Sequence, residues 1–268
     1  MPEGNLPAED EPRTYKGNIQ SIQVSDQPLS IAALRSALSV ERLAAYATDE
    51  DSDQLDAVAR YIWNVALACA IQPSLHALEI TLRNNLFNGS RKIVDESRLS
   101  FREVPCWLDA DPSLLLKREA QTVEEAKALL SREKKEMTPG RLISKLGLGF
   151  WVSLCQAPYD QGRPDGPRLW PEIVKYSFPF VAKQNRTRSI IFHRLNELRE
   201  LRNRASHHEP IWDRNFGRAE RRLLEVLSWM NRGMAEALQR ISTVEEVHRA
   251  GPKQYRSLAQ ELVRLAPE

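Results

Sequence analysis

The sequence predicts an all-α fold, and three observations carry that prediction. Apolar residues recur at three- and four-residue intervals along most of the chain, the period of a helix with one buried face. No segment sustains the alternation of a half-buried strand. Helix-boundary chemistry also recurs, with Thr138 before Pro139 and Pro210 shortly after an arginine-rich run. A capping hydroxyl followed by proline opens a helix, and a later proline closes one.

The elements follow in order. Residues 1–27 have few apolar side chains and no periodicity, which predicts a disordered or loosely attached tail. Residues 28–268 then form a single all-helical domain. Between Leu29 and Ala47, Ile31, Leu34, Leu38 and Leu43 mark one or two short helices, and Asp49–Asp53 reads as an acidic loop. A helix starting near Asp53 carries Val58, Ile62, Val65 and Cys69 as its stripe. Pro73 marks a kink or a new first turn. Beyond it Leu75, Leu78, Leu82 and Leu86 form the buried face of a helix ending near Gly89. His76, Glu79 and Arg83 share one flank of that stripe.

Residues 90–111 read as a connection containing Trp107, and Asp111-Pro112 opens the next helix. Alternating charges from Lys117 to Lys135 indicate its exposed face. Thr138 caps a further helix with Pro139 at its first position. Gly147-Leu148-Gly149 interrupts the segment before Phe150 and Trp151. It lacks the preceding strand and spacing of a nucleotide loop, so it reads as a close-packing or helix-breaking element. Ala157–Pro171 holds four prolines and two glycines, a loop composition. A short helix covers Pro171 to Phe180, another begins near Arg188, and a third runs from about Phe216 with Leu223, Leu224, Leu227 and Trp229. Two more segments close the chain, the last from about Lys253 to Leu265.

Composition narrows the function classes. The 268 residues are 42% hydrophobic and 28% charged, ordinary for a water-soluble domain with a real core. No run reaches the roughly 18 uninterrupted apolar residues of a membrane span, and Met1 to Arg13 is unlike a secretory signal. Cys69, Cys106 and Cys155 lie far apart and cannot all pair, so they read as reduced thiols of a cytoplasmic protein. Net charge is +2, but Lys183–Arg222 holds eleven Lys/Arg against five Asp/Glu, a local +6 that leaves −4 for the remainder. A basic segment on an otherwise acidic chain is the footprint of a phosphate-binding surface, or of a salt-bridged solvated face.

That basic segment contains the stretch with most chemistry, Leu198 to Pro210. Ile191, Leu195, Leu198 and Ala205 form its apolar stripe, and Arg202 falls on the same stripe. A guanidinium facing a buried surface must be paired or specifically solvated. Asn203 and His207 are four apart, neighbours on one face. Pro210 ends the helix near His207 and His208. A helix C-terminus favours a protonated imidazole, suited to donating a proton. The same features also describe an ordinary arginine-rich helix with a capping histidine.

Arg202-Asn203, three residues, then His207-His208 resembles the arginine, polar residue, spacer, histidine motif of HEPN-domain ribonucleases. Leu198–Trp212 resembles more closely a block of the Abi-like family, tied to bacterial abortive phage infection. Leu78-Glu79-Ile80-Thr81-Leu82-Arg83-Asn84-Asn85 is similar to that family's amino-terminal helix. Thr138-Pro139-Gly140-Arg141 through Gly147-Leu148-Gly149-Phe150-Trp151 is similar to its central block. The three blocks keep the family's order over roughly residues 30 to 240.

The resemblance implies a HEPN-like multi-helix bundle with additional helices and a phage-defence endoribonuclease. In RNA the 2′-hydroxyl attacks its own phosphate, so the enzyme supplies a base, an acid and a cation. On this expectation His207 handles proton transfer, Arg202 stabilises phosphoryl charge with its donor fork, and Asn203 orients the histidine or the phosphate. His208, Glu79 and Arg83 support them, with Glu79 positioning Arg202, and Arg199 and Arg204 bind RNA. Arg204 and His208, four apart, are the internal competitors for the catalytic pair. Arg202 and His207 diverge by roughly 140° on a regular helix, and a HEPN-like homodimer would bring two copies of the motif into one cleft. No cofactor or metal is expected, because the cysteines lack ligand spacing and adjacent histidines diverge on a helix. A cognate small RNA or antitoxin is a further expected partner. Glu209 stands where some HEPN toxins carry a modified tyrosine, so that mode of neutralisation is not expected. The competing reading is a non-catalytic RNA-binding or protein-interaction module; a membrane-acting effector ranks last for want of an anchor.

Overall fold

The computed structural model describes residues 38–48, 54–96, 108, 115–160, 169–212 and 216–264. The expected tail, the Asp49–Asp53 loop, Trp107 and the Asp111-Pro112 helix start lie outside them. Among the described residues the chain is all-α, with no strand. Its helices are α1 (Val40–Ala44), α2 (Gln54–Glu96), α3 (Lys117–Arg132), α4 (Pro139–Ser144), α5 (Leu148–Ser153), α6 (Ile173–Ser177), α7 (Arg188–Ser206), α8 (Phe216–Met230), α9 (Arg232–Ile241) and α10 (Val244–Arg264).

Helix α2 is the axis of the bundle, and α10, α6, α8 and α5 pack on it. It departs from the sequence reading in three ways. Pro73 lies inside one continuous 43-residue helix, which excludes a new first turn there. Pro73 and Cys69 are both exposed, so the carbonyl that loses its N–H partner lies on the solvent side, where water can serve it. The helix also runs past Gly89 to Glu96, through residues expected to form a connection. Finally, Val65 and Cys69 face outward, while Trp63, Leu67 and Ile71 are buried in register with Leu75, Leu78, Leu82 and Leu86. Val58, Ile62, Val65 and Cys69 follow an adjacent flank of a helix apolar on several faces.

Gly89 is a crossing point rather than an end. A Cβ there would stand 2.3 Å from Ser177 Oγ on α6. Ser177 Oγ donates to Asn85 O at 2.9 Å, and Asn85 Nδ2 donates to Ser177 O at 2.9 Å. The missing side chain thus lets α6 lie on α2 closely enough for reciprocal polar contacts.

By length and composition α2 could also cross a membrane, with a window of mean hydropathy 1.4. Leu67, Ile71, Leu75, Leu78, Leu82 and Leu86 are core residues of this bundle, however, each 1% exposed or less. Two free thiols are described, exposed Cys69 and buried Cys155. Burial pushes the Cys155 thiol far above its ordinary range, which leaves it an inert core residue.

Elsewhere local chemistry sets the boundaries as expected. Thr138 Oγ1 accepts from Arg141 N with Pro139 following. Gly147 is the cap of α5, so the Gly-Leu-Gly stretch separates two short helices. A Cβ at Gly147 or Gly149 would meet nothing within 4 Å, which excludes close packing as their role. In α10, Gly251 (φ 63°) precedes Pro252 and breaks the helix into two arms.

Candidate active site

Helix α7 begins where Thr187 accepts from Ile190 N and buries Ile191, Leu195, Leu198, Leu201 and Ala205. Leu201, not Arg202, occupies the inward position in the turn after Leu198. The Arg202 side chain is 35% exposed and stands at the rim of the buried face. This corrects the expectation of an inward guanidinium and relieves its desolvation cost.

Across that rim lies α2. Its flank residues His76, Glu79 and Arg83 join Gln72, Ile80 and Arg202 around a cleft of about 250 Å³. Glu79 Oε2 is 3.4 Å from Arg202 Nη2. Its other oxygen accepts from Leu148 N at 3.2 Å, supplying at the start of α5 the acceptor that Gly147 cannot offer. One carboxylate therefore ties α2, α5 and α7 together and aims one nitrogen of Arg202. The remaining N–H groups of Arg202 have no partner among the described residues. Arg83 Nε is buried without a hydrogen-bond partner, and His76 is exposed at the mouth.

The histidines sit at the other end of the motif. Helix α7 stops at Ser206 with His207 as its cap, in accord with the effect of Pro210 on Glu209. His207 N donates to Asn203 O, but the exposed His207 side chain bonds to neither Asn203 nor Arg202. His208 adopts a left-handed conformation (φ 56°), so it leaves the helix and shares no face with Arg204. Its carbonyl accepts from Arg42 and from Tyr46 Oη at 3.4 Å. Burial raises the Tyr46 phenol above its ordinary value, against the opposing charges of Arg42 and Arg204, which keeps it a donor.

Asn64, 3% exposed on α2, organises the same turn. Its Nδ2 donates to Tyr46 Oη at 3.1 Å and Glu209 O at 3.3 Å, and its Oδ1 accepts from Ile211 N at 2.6 Å. Sequence reasoning missed Asn64, Tyr46 and Arg42. Asn64 and Tyr46 are polar groups on buried faces, a weak signal among apolar neighbours, and the exposed Arg42 gives none.

The two arginines expected to bind RNA are engaged within the protein. Arg199 donates to Asn196 Oδ1 at 3.1 and 2.9 Å. Arg204 donates to Pro210 O and lies 3.6 Å from Glu209 Oε2, holding the turn after the motif. Both charges remain part of the basic segment, but part of each donor fork is already used within the protein. Among the described residues no group of three His, Cys, Asp or Glu could hold a metal ion.

No family model, curated protein or solved structure matches this chain. A positioned guanidinium, an unsatisfied second guanidinium nitrogen and the His76 imidazole at the cleft suit an anion whose charge or protonation changes during reaction, above all a phosphodiester.

Proposed function

We propose that this protein is a metal-independent endoribonuclease of HEPN type, acting in abortive phage defence as a cytoplasmic homodimer. The observation that supports it most is Arg202, held by Glu79 beside Arg83, with the exposed His207 five residues farther along the same helix. Arg202 stabilises the negative charge of the pentavalent phosphorane, and lysine could not reproduce its fork. His207 transfers a proton, and Asn203, with no side-chain partner among the described residues, orients the histidine or the phosphate. The 2′-oxygen–phosphorus bond forms as the phosphorus–5′-oxygen bond breaks. The 2′-hydroxyl proton goes to a base, and the leaving 5′-oxygen receives one from an acid. Products carry a 2′,3′-cyclic phosphate and a 5′-hydroxyl. A small RNA or antitoxin that restrains the activity is part of the proposal.

The test is RNA cleavage by the purified chain in excess EDTA, with a folded His207→Ala variant alongside. The reading requires cleavage by the wild type with cyclic phosphate ends, and its loss in the variant. Equal cleavage by both would make His207 structural. RNA binding that depends on Arg202, without cleavage by either, would favour a non-catalytic binding module.

A further inference from the structure

We propose that the Glu79–Arg202 cleft binds the scissile phosphodiester and that His76 is its general base, complementing His207 as the acid. The inference rests on the ribonuclease reading above and adds two residues to its reacting centre. A 2′-hydroxyl attack needs two proton transfers, and His207 at a helix terminus fits proton donation. The cleft that holds Arg202 contains an imidazole of its own. His76 lies one helical turn before Glu79 on α2, and both line the same cleft of about 250 Å³ with Arg83 and Arg202. That volume has room for a phosphate and an adjoining ribose.

Charge and hydrogen bonding in the cleft favour an anion. Its charged lining is two guanidiniums and one carboxylate, besides His76. The carboxylate is already committed to Arg202 and Leu148 N. Arg83 brings a buried Nε with no acceptor, and leaving such a donor unmet is costly. A phosphate oxygen would meet the part of the Arg83 guanidinium that lines the cleft, and a second would meet the remaining donors of Arg202. His76 at the mouth then faces the sugar side of the bound group. It takes the 2′-hydroxyl proton as the 2′-oxygen–phosphorus bond forms, and His207 delivers one to the departing 5′-oxygen. A proton is gained at one imidazole and lost at the other, so the step balances.

The experiment compares full-length wild type, His76→Gln, His207→Gln, Arg83→Gln and Arg202→Gln in EDTA. It uses one RNA with an ordinary 5′-oxygen leaving group and one with a 5′-sulfur, which leaves without a proton. Binding is read with an uncleavable 2′-O-methyl RNA. His76→Gln should lower kcat by at least about 100-fold on both substrates, with 2′-O-methyl RNA binding and thermal stability unchanged. His207→Gln should be restored on the 5′-sulfur substrate, and Arg83→Gln should weaken 2′-O-methyl RNA binding. Wild-type rates for His76→Gln beside inactive His207→Gln and Arg202→Gln would overturn this inference alone. Rescue of His76→Gln by the 5′-sulfur would overturn its role as base, and unchanged binding by Arg83→Gln the placement of the phosphate. A wild type that cleaves neither substrate would overturn the ribonuclease reading and this inference together.

Discussion

Asn64 is the residue on which the histidine turn depends, although it belongs to no motif. Three main-chain or hydroxyl groups from the turn and from Tyr46 meet its side chain in a buried site. Alanine there would leave the buried Ile211 N–H without a partner, at a cost of about 1–3 kcal/mol, and would also take a donor from Tyr46 Oη and from the part-buried Glu209 O. Asn64→Ala should therefore destabilise the fold by about 2–4 kcal/mol, read as a lower urea midpoint with an unchanged slope. It should also loosen the His207–Pro210 turn, seen as faster amide exchange at Ile211. Wild-type stability would mean that water replaces the amide and that the turn holds itself. Arg202 differs in kind: its pairing with Glu79 is partly exposed, so the pair contributes at most about 1 kcal/mol. Its consequence is geometric, since Glu79 spends one oxygen on Leu148 N and the other on Arg202.

At the scale of elements, the α2–α6 crossing makes the sharpest prediction. Gly89→Ala would drive a methyl group into Ser177 Oγ, whose hydrogen bond to Asn85 O holds it in place. Overpacking at such a contact costs about 1–3 kcal/mol. Gly89→Ala should lose that much by denaturant titration, and Ser177→Gly should recover part of it in the double variant. Additive losses would show that the two positions do not compete for space. The same crossing explains where the sequence misleads. Pro73 and Gly89 are strong local signals for boundaries, yet both lie inside α2, because burying Trp63 through Ile93 against α5, α6, α8 and α10 outweighs local propensity. The Thr138 and Pro210 signals hold because each acts on the backbone beside it rather than through packing. The Val58–Cys69 stripe holds at Val58 and Ile62 and fails at Val65 and Cys69, because this part of α2 is apolar on several faces and only tertiary contact selects the buried one.

For the whole molecule, legibility divides along similar lines. The all-α class and the Glu79–Arg202 pairing were readable, the first from periodicity and the second from the resemblance of two distant blocks. The Asn64 network joins α1, α2 and the turn after α7 across more than a hundred residues, and no local pattern encodes it. The same distance governs the site: Arg202 opens into the cleft beside α2, whereas His207 is exposed at the end of α7 with no bond to it. A homodimer that places the His207 of one protomer at the Arg202 cleft of the other predicts complementation. Arg202→Gln and His207→Gln chains, each inactive alone, should recover ribonuclease activity when unfolded together and refolded as mixed dimers, because one of the two clefts then keeps both intact groups. Sedimentation should give a dimer for every preparation. An active monomer, or mixed dimers as inert as their parents, would confine both groups to one chain and require the α7 end to reach its own cleft.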